Sequence, residues 1–209
     1  ISSHAGEGIR AVPGRPSEEP LWTKDFVFGT VTNFVLSCNY FMLTVVMTAY
    51  AMDVYGAPAS LAAFCASIFI IGTLFARLAS PKLMQKLGRK PLLFAGAIAD
   101  CILTGLYLVD APLALLMGIR LLHGFSYGTC STTIATMVTA VIPPARKGEG
   151  IGYYMLSVTL GAAIGPFAGI LLSRHLSYET LFFVSAAVIL VALPCIAILK
   201  PGKRIVTAA

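Results

Sequence analysis

Charge is what this chain has least of. Only 11% of its 209 residues are Asp, Glu, Lys or Arg, against 57% hydrophobic. Ordinary soluble domains carry about 25% charged residues, so this composition suits a lipid solvent better than water. Cysteine is sparse and unpatterned: Cys38, Cys65, Cys101, Cys130 and Cys195 stand singly, with no C-x-x-C pair. Neither a zinc site, nor any other metal centre, nor a disulfide framework is supported, and small buried packing residues are the expected role. No G-x-x-x-x-G-K-[ST] run appears, so no ATP-binding loop and no cofactor is expected. The first twenty-odd residues do not read as a signal peptide, which would need a basic start, a short apolar run and a small-residue cleavage site.

What is present is a set of long apolar stretches, at about 26–50, 59–79, 91–109, 112–139, 150–173 and 180–199. Each approaches the ~20 residues that a helix needs to cross a ~30 Å hydrocarbon core. Lipid offers backbone groups no partner, so spanning segments are helices or closed barrels of short alternating strands. These runs do not alternate. The expected fold class is an all-α membrane protein with six transmembrane helices.

The net charge of +6 on such a chain reports orientation rather than nucleic-acid binding. Arg10, Arg15 and Lys24 precede the first stretch; Arg77, Lys82, Lys86, Arg89 and Lys90 follow the second; Arg146 and Lys147 follow the fourth; Lys200, Lys203 and Arg204 end the chain. Thirteen of the fifteen basic residues thus fall on alternate connections, while the others hold Arg174 beside Asp53, Asp110 and Glu179. By the positive-inside rule both termini are cytoplasmic in a multi-pass protein of the cell membrane. Residues 1–24, rich in Gly, Pro, Ser and Glu, read as a disordered cytoplasmic lead-in, 25–200 as the bundle, and 201–209 as a tail or the start of a linker. The chain begins with Ile, which suggests a trimmed or partial sequence.

Polar groups within lipid are costly enough that their positions carry meaning. Thr30, Asn33, Ser37, Thr44 and Thr48 share one face of the first stretch, with Tyr40 between. That face either lines a water-filled cavity or makes interhelical hydrogen bonds. Asp100 and Arg120 each lie about 12–14 Å into the third and fourth stretches, near the midplane. A turn of only Asp110–Ala111 makes these helices an antiparallel hairpin and brings both charges to similar depth, where they could form a structural ion pair. Alternatively, Arg120 binds an anionic group or tunes a proton carrier. In the fifth stretch Ser157, Gly161, Gly165, Gly169 and Ser173 place a small residue at every fourth position, with Pro166 beside the central one. Such a stripe allows near backbone contact with another helix, and the proline favours a kink.

At these positions the chain resembles the amino-terminal half of a major facilitator superfamily transporter. The family's connection between spans two and three reads G-x-x-x-D-[RK]-x-G-[RK]-[RK]. Here it is Pro81-Lys82-Leu83-Met84-Gln85-Lys86-Leu87-Gly88-Arg89-Lys90, with Pro81 in place of the first glycine and Gln85 in place of the acid. In the family that acid belongs to a charge network that helps hold the outward-open state. The segment Arg120 to Gly128 is similar to the family's R-x-x-x-G, whose arginine is linked to proton coupling. Gly161 to Gly169 resembles its antiporter signature G-x-x-x-G-P-x-x-G, and Pro143 to Gly150 resembles the preceding connection.

The resemblance covers about residues 21–200. It implies half of a twelve-helix bundle with substrate at the midplane between halves. The partners implied are a small-molecule substrate, protons, the bilayer and a second six-helix half, absent from a fragment or supplied by another chain. The expected function is proton-coupled export of small organic molecules by alternating access, without enzymatic activity. Asn33, Ser37, Tyr40, Asp100 and Arg120 are the expected substrate or proton pathway. Lys86, Gly88, Arg89 and Lys90 form a cytoplasmic gate loop; Gly161, Gly165, Pro166 and Gly169 form a packing seam.

Two other classes compete. A non-transporting assembly protein could use glycine-rich helices for association, but would not need Asn33, Asp100 and Arg120 at depth. An intramembrane serine hydrolase is suggested by Gly124-Phe125-Ser126-Tyr127-Gly128, which reads G-x-S-x-G. That elbow belongs on a strand-to-helix turn, and His4, His123 and His175 supply no base on another membrane helix. His123 reads as a polar contact or a minor proton-pathway candidate.

Overall fold

The structure, a computed structural model, describes residues 20–200. Among them there is no strand. The helices are α1 (Lys24–Tyr55), α2 (Ala59–Leu87), α3 (Arg89–Gly105), α4 (Leu113–Val141), α5 (Lys147–Ser173) and α6 (Tyr178–Ile198). Single 3₁₀ turns, Leu106–Leu108 and Pro144–Arg146, tighten the approach to α4 and α5. Most of the lead-in expected over 1–24 and all of 201–209 fall outside the described residues. Its last residues are ordered, because Leu21 is fully buried and Thr23 caps α1 by accepting from the Phe26 N–H at 3.3 Å.

Five of these elements are long and apolar enough to cross a membrane: α1, α2, α3 with its 3₁₀ turn, α5 with its own, and α6. α4, at 29 residues, is as long but falls short of that apolarity, as Arg120, His123 and a run of Gly, Ser and Thr dilute it. Those polar residues point inward: Arg120, His123, Ser126, Thr129 and Thr133 are all buried. The outer surface carries Leu74, Phe75, Leu78, Leu122, Phe167 and Val191, all more than half exposed. Polar inside and apolar outside is the pattern of a bundle solvated by lipid.

α1 runs through the middle, touching α2, α4, α5 and α6, while α2 packs chiefly on α4 and α3 on α4 and α6. Association between apolar helices gains little from burial when the solvent is itself apolar; close approach and hydrogen bonds carry it. Two glycine seams provide the approach. On α5, a Cβ at Gly161 would stand 2.9 Å from the Ser37 Cβ, one at Gly165 2.6 Å from the Cys38 carbonyl oxygen, and one at Gly169 3.0 Å from that of Met42. The other seam joins α2 to α4. A Cβ at Gly128 would meet the Thr73 carbonyl oxygen at 2.9 Å, and at Gly72 and Gly124 it would overlap the backbones of Leu121 and Phe69. Thr73 locks this seam by donating to the Gly124 carbonyl at 3.0 Å.

The two ends of the bundle differ in charge. The Lys200 N–H donates to Asp25 at 3.0 Å, the Lys90 ammonium donates to the Ala197 carbonyl at 2.6 Å, and Trp22 packs on Tyr153. The start of α1, the start of α3, the start of α5 and the end of α6 therefore share one end, which collects the basic connections. At the other end Tyr55 donates to the Ala111 carbonyl at 2.7 Å and Tyr178 donates to Asp53. Lys90 also places a cation against the carbonyl end of α6, where the helix dipole favours it.

A single residue, Gly88, separates α2 from α3. Its φ of 86° and ψ of 157° lie where a Cβ clashes with its own backbone, so only glycine lets the chain reverse there. Replacing Gly88 with Ala is expected to cost about 1–3 kcal/mol through backbone strain alone. Nothing but the Pro91 ring stands near the added methyl, at 3.6 Å. Thermal unfolding of the detergent-purified protein measures it, and an unchanged midpoint would contradict this reading.

Candidate functional site

The charges near the midplane do not pair as expected. Asp100 and Arg120 are both buried, at 2% and 0% exposure, but the partner facing Asp100 is His123. Its Nε2 lies 3.0 Å from Asp100 Oδ1, at ion-pair distance but without the alignment of a hydrogen bond. Helix geometry gives the reason. Three residues past Arg120 the chain has turned about 300°, leaving the two side chains about 60° apart, so both reach Phe69 of α2 while His123 also meets α3 and Arg120 also meets α1. The imidazole is held at both nitrogens: Tyr107 O–H lies 2.7 Å from Nδ1 and Thr104 Oγ1 3.3 Å from Nε2.

Arg120 has far fewer partners. Its Nη2 donates to Thr44 Oγ1 at 3.4 Å, and its guanidinium carbon lies 4.5 Å from the centre of the Phe69 ring. Nε and Nη1 find no hydrogen-bond partner, although the side chain is fully buried. A cation–π contact contributes about 2 kcal/mol when desolvated, well short of the cost of burying a cation. Such a group persists only where something other than folding stability retains it.

Phe69 connects the arginine to a cavity. Its ring stacks on Tyr40 at 4.8 Å, and Tyr40 stacks on Tyr127 at 4.9 Å. Beyond these rings lies a cavity of about 350 Å³, lined by Tyr40 and Phe41 of α1, Thr73 and Arg77 of α2, Tyr127 of α4 and Val158 of α5. Aromatic faces with few polar groups suit a flat apolar organic molecule.

The other sequence-derived positions are distributed as follows. Tyr40 lines the cavity, but Asn33 and Ser37 do not face it. Both are buried against α5, Asn33 donating to Ser157 Oγ at 2.9 Å and Ser37 sitting under Gly161. The shared polar face of α1 is thus split between the seam and Arg120, because α1 is surrounded by other helices. Gly161, Gly165 and Gly169 meet α1 at near backbone contact, and Pro166 lies within the continuous helix α5. Of the gate loop, Gly88 is the joint and Lys90 ties α3 to α6, while Lys86 is exposed and Arg89 makes contacts of its own. Ser126 is mid-helix and donates to the Gly96 carbonyl at 2.6 Å, so its hydroxyl bridges α4 to α3 rather than meeting a base.

His123 makes the polar contact expected of it, with Asp100, whereas the α2–α4 seam was not expected. The signal for the latter was the four-residue spacing of Gly124 and Gly128, which the G-x-S-x-G reading obscured.

Comparison with known proteins agrees with this architecture. A family model described as Major Facilitator Superfamily matches residues 29–208. Among curated proteins, the chain is 28% identical over 122 residues to the MFS-type transporter ppzB of Metarhizium rileyi, covering 58% of this chain and 25% of that protein. It is 30% identical over 127 residues to the multidrug resistance protein MdtG of Klebsiella pneumoniae, covering 59% of this chain and 31% of MdtG. The matched segment therefore spans less than a third of either relative's length. With its inward-facing polar cluster and its close-packed glycine seams, this multi-pass chain, whose described residues contain helices and no strand, belongs to the major facilitator superfamily of membrane transporters.

Proposed function

We propose that the chain is one half of a proton-coupled exporter of small organic molecules. In this reading all six helices cross the cell membrane, with α4 admitted by its inward-turned polar face. Both termini are cytoplasmic, and a second six-helix half completes the cavity beside Tyr40 and Tyr127. Transport is by alternating access, the halves rocking around the midplane site. Residues 25–200 form the bundle, 1–24 a cytoplasmic lead-in, and 201–209 the start of a linker or tail. The description of MdtG as a multidrug resistance protein supports small organic cargo, and the stripe ending at Gly169 supports export.

The observation that carries the proposal is the buried Arg120 guanidinium with two nitrogens unpartnered. Asp100 and Arg120 form the proton pathway, Tyr40 the cavity wall, Asn33 and Ser37 the seam beneath it. Lys86, Gly88, Arg89 and Lys90 form the cytoplasmic gate. A simple assembly protein would have no use for a buried cation of this kind. The test is dye flux, with ethidium as probe, in sealed vesicles containing the full-length protein. Accumulation driven by an imposed pH gradient and abolished by a protonophore is expected. Flux indifferent to the gradient would remove proton coupling.

A further inference from the structure

Proton coupling needs a group that changes charge, and Arg120 cannot be it, because a guanidinium keeps its proton in any protein environment. We infer that the transported proton is bound by the Asp100–His123 pair, with Tyr107 as the hydroxyl that rotates to accept its hydrogen bond and Arg120 as the fixed charge that makes binding consequential. This inference rests on the proton-coupled reading above.

The hydrogen positions follow from counting donors. Thr104 gives its only hydroxyl hydrogen to the Asp100 carbonyl at 2.8 Å. Its oxygen can then only accept from His123 Nε2, 3.3 Å away, so Nε2 carries a hydrogen, while Asp100 Oδ1 lies 3.0 Å from the same nitrogen but out of line with that N–H. In the neutral ring Nδ1 is therefore an acceptor, and Tyr107 donates to it at 2.7 Å. One further proton adds at Nδ1. An N–H bond forms there, the Tyr107 oxygen becomes the acceptor, and its own hydrogen swings away; no heavy-atom bond is made or broken.

Charge counting shows why the step matters. With Arg120 positive, Asp100 ionised and His123 neutral, the cluster is balanced. The added proton leaves it with one net positive charge in a site where Asp100, His123 and Tyr107 are each 2% exposed. A dry interior disfavours that state strongly, so protonation shifts the population toward whichever arrangement admits water. The groups that bear on the pair are Cys130 on α4, Cys101 on α3 and Tyr127 behind the Phe69 ring, while Arg120 and Cys65 act on Tyr107. α1 offers Thr44 to Arg120, and α6 contributes the Phe182 ring against Tyr107. Among these, only Asp100 and His123 combine burial with mutual contact.

Infrared difference spectra of the purified full-length protein, stepped between alkaline and acidic buffer, test this without any substrate. Linked carboxylate and imidazole-ring bands are expected in the wild type. Asp100→Asn should lose the carboxylate band and displace the ring band, and His123→Gln should lose the ring band and displace the carboxylate band. Absence of the bands in the wild type would overturn the assignment, as would either band remaining unmoved when its partner is replaced. The proton-coupled reading fails separately, through gradient-independent flux of ethidium by the wild type, and that failure would leave the spectra as they are.

Discussion

Arg120→Met is expected to abolish gradient-driven flux, at least tenfold and to background, while leaving the protein as stable as the wild type or more so. The two halves of this expectation come from one observation. The guanidinium is fully buried with one long hydrogen bond, one ring contact and two unpartnered nitrogens. Replacing buried ionic groups with well-packed apolar side chains is commonly neutral or stabilising by about 1–4 kcal/mol. Met has nearly the length of Arg, fills irregular space and keeps contact with the Phe69 ring. Asp100 retains His123 at 3.0 Å in the variant. A protein that gains nothing in folding from Arg120 has kept it for what it does, which is the usual trade between stability and activity. Thermal unfolding and vesicle flux measured on the same preparation decide the matter. A steep fall in the unfolding midpoint would make Arg120 a structural residue, and wild-type flux would remove it from the mechanism.

The largest loss of folding is expected at Gly124. A Cβ there would overlap the carbonyl of Phe69 and stand 2.9 Å from its Cα. The obstacle is backbone, so no rotamer change relieves it and α4 must move off α2. That movement also breaks the Thr73 hydrogen bond to Gly124 and the seating of Arg120 on Phe69. Overpacking of this kind costs about 1–3 kcal/mol and more when whole elements must separate. Gly124→Leu should therefore fail to give a monodisperse folded protein in detergent, with Gly124→Ala intermediate. Gly118, on the same helix with nothing within 4 Å of an added Cβ, is the control. Gly118→Ala should be neutral or stabilising by up to about 1 kcal/mol, since only helix propensity changes. Equal effects at both positions would show that the seam does not hold α2 to α4.

Much of this architecture is legible in the residues because lipid imposes it. Runs of about 20 apolar residues can only be helices, and the alternating basic connections fix which ends meet. The bundle duly gathers Lys90, Lys147, Lys200 and their neighbours at one end and Asp53 and Glu179 at the other. The stripe at Gly161, Gly165 and Gly169 was readable for the same reason, as small residues at every fourth position have one obvious use in a bundle. What could not be read was azimuth. Depth placed Asp100 beside Arg120, but the turn of α4 gave Asp100 to His123 and Arg120 to Phe69. The polar face of α1 was similarly ambiguous. Asn33 and Ser37 look like cavity lining in a lone helix, and only the presence of α5 opposite them makes them part of a seam.

The claim beneath all of this is that the bundle crosses a bilayer with its basic and acidic ends on opposite sides. In a background lacking the five native cysteines, single cysteines placed at the exposed positions Lys86 and Glu179 can be labelled in sealed vesicles with a membrane-impermeant maleimide. The account predicts that one is labelled from outside and the other only after the vesicles are opened. Labelling of both from the same side would contradict it.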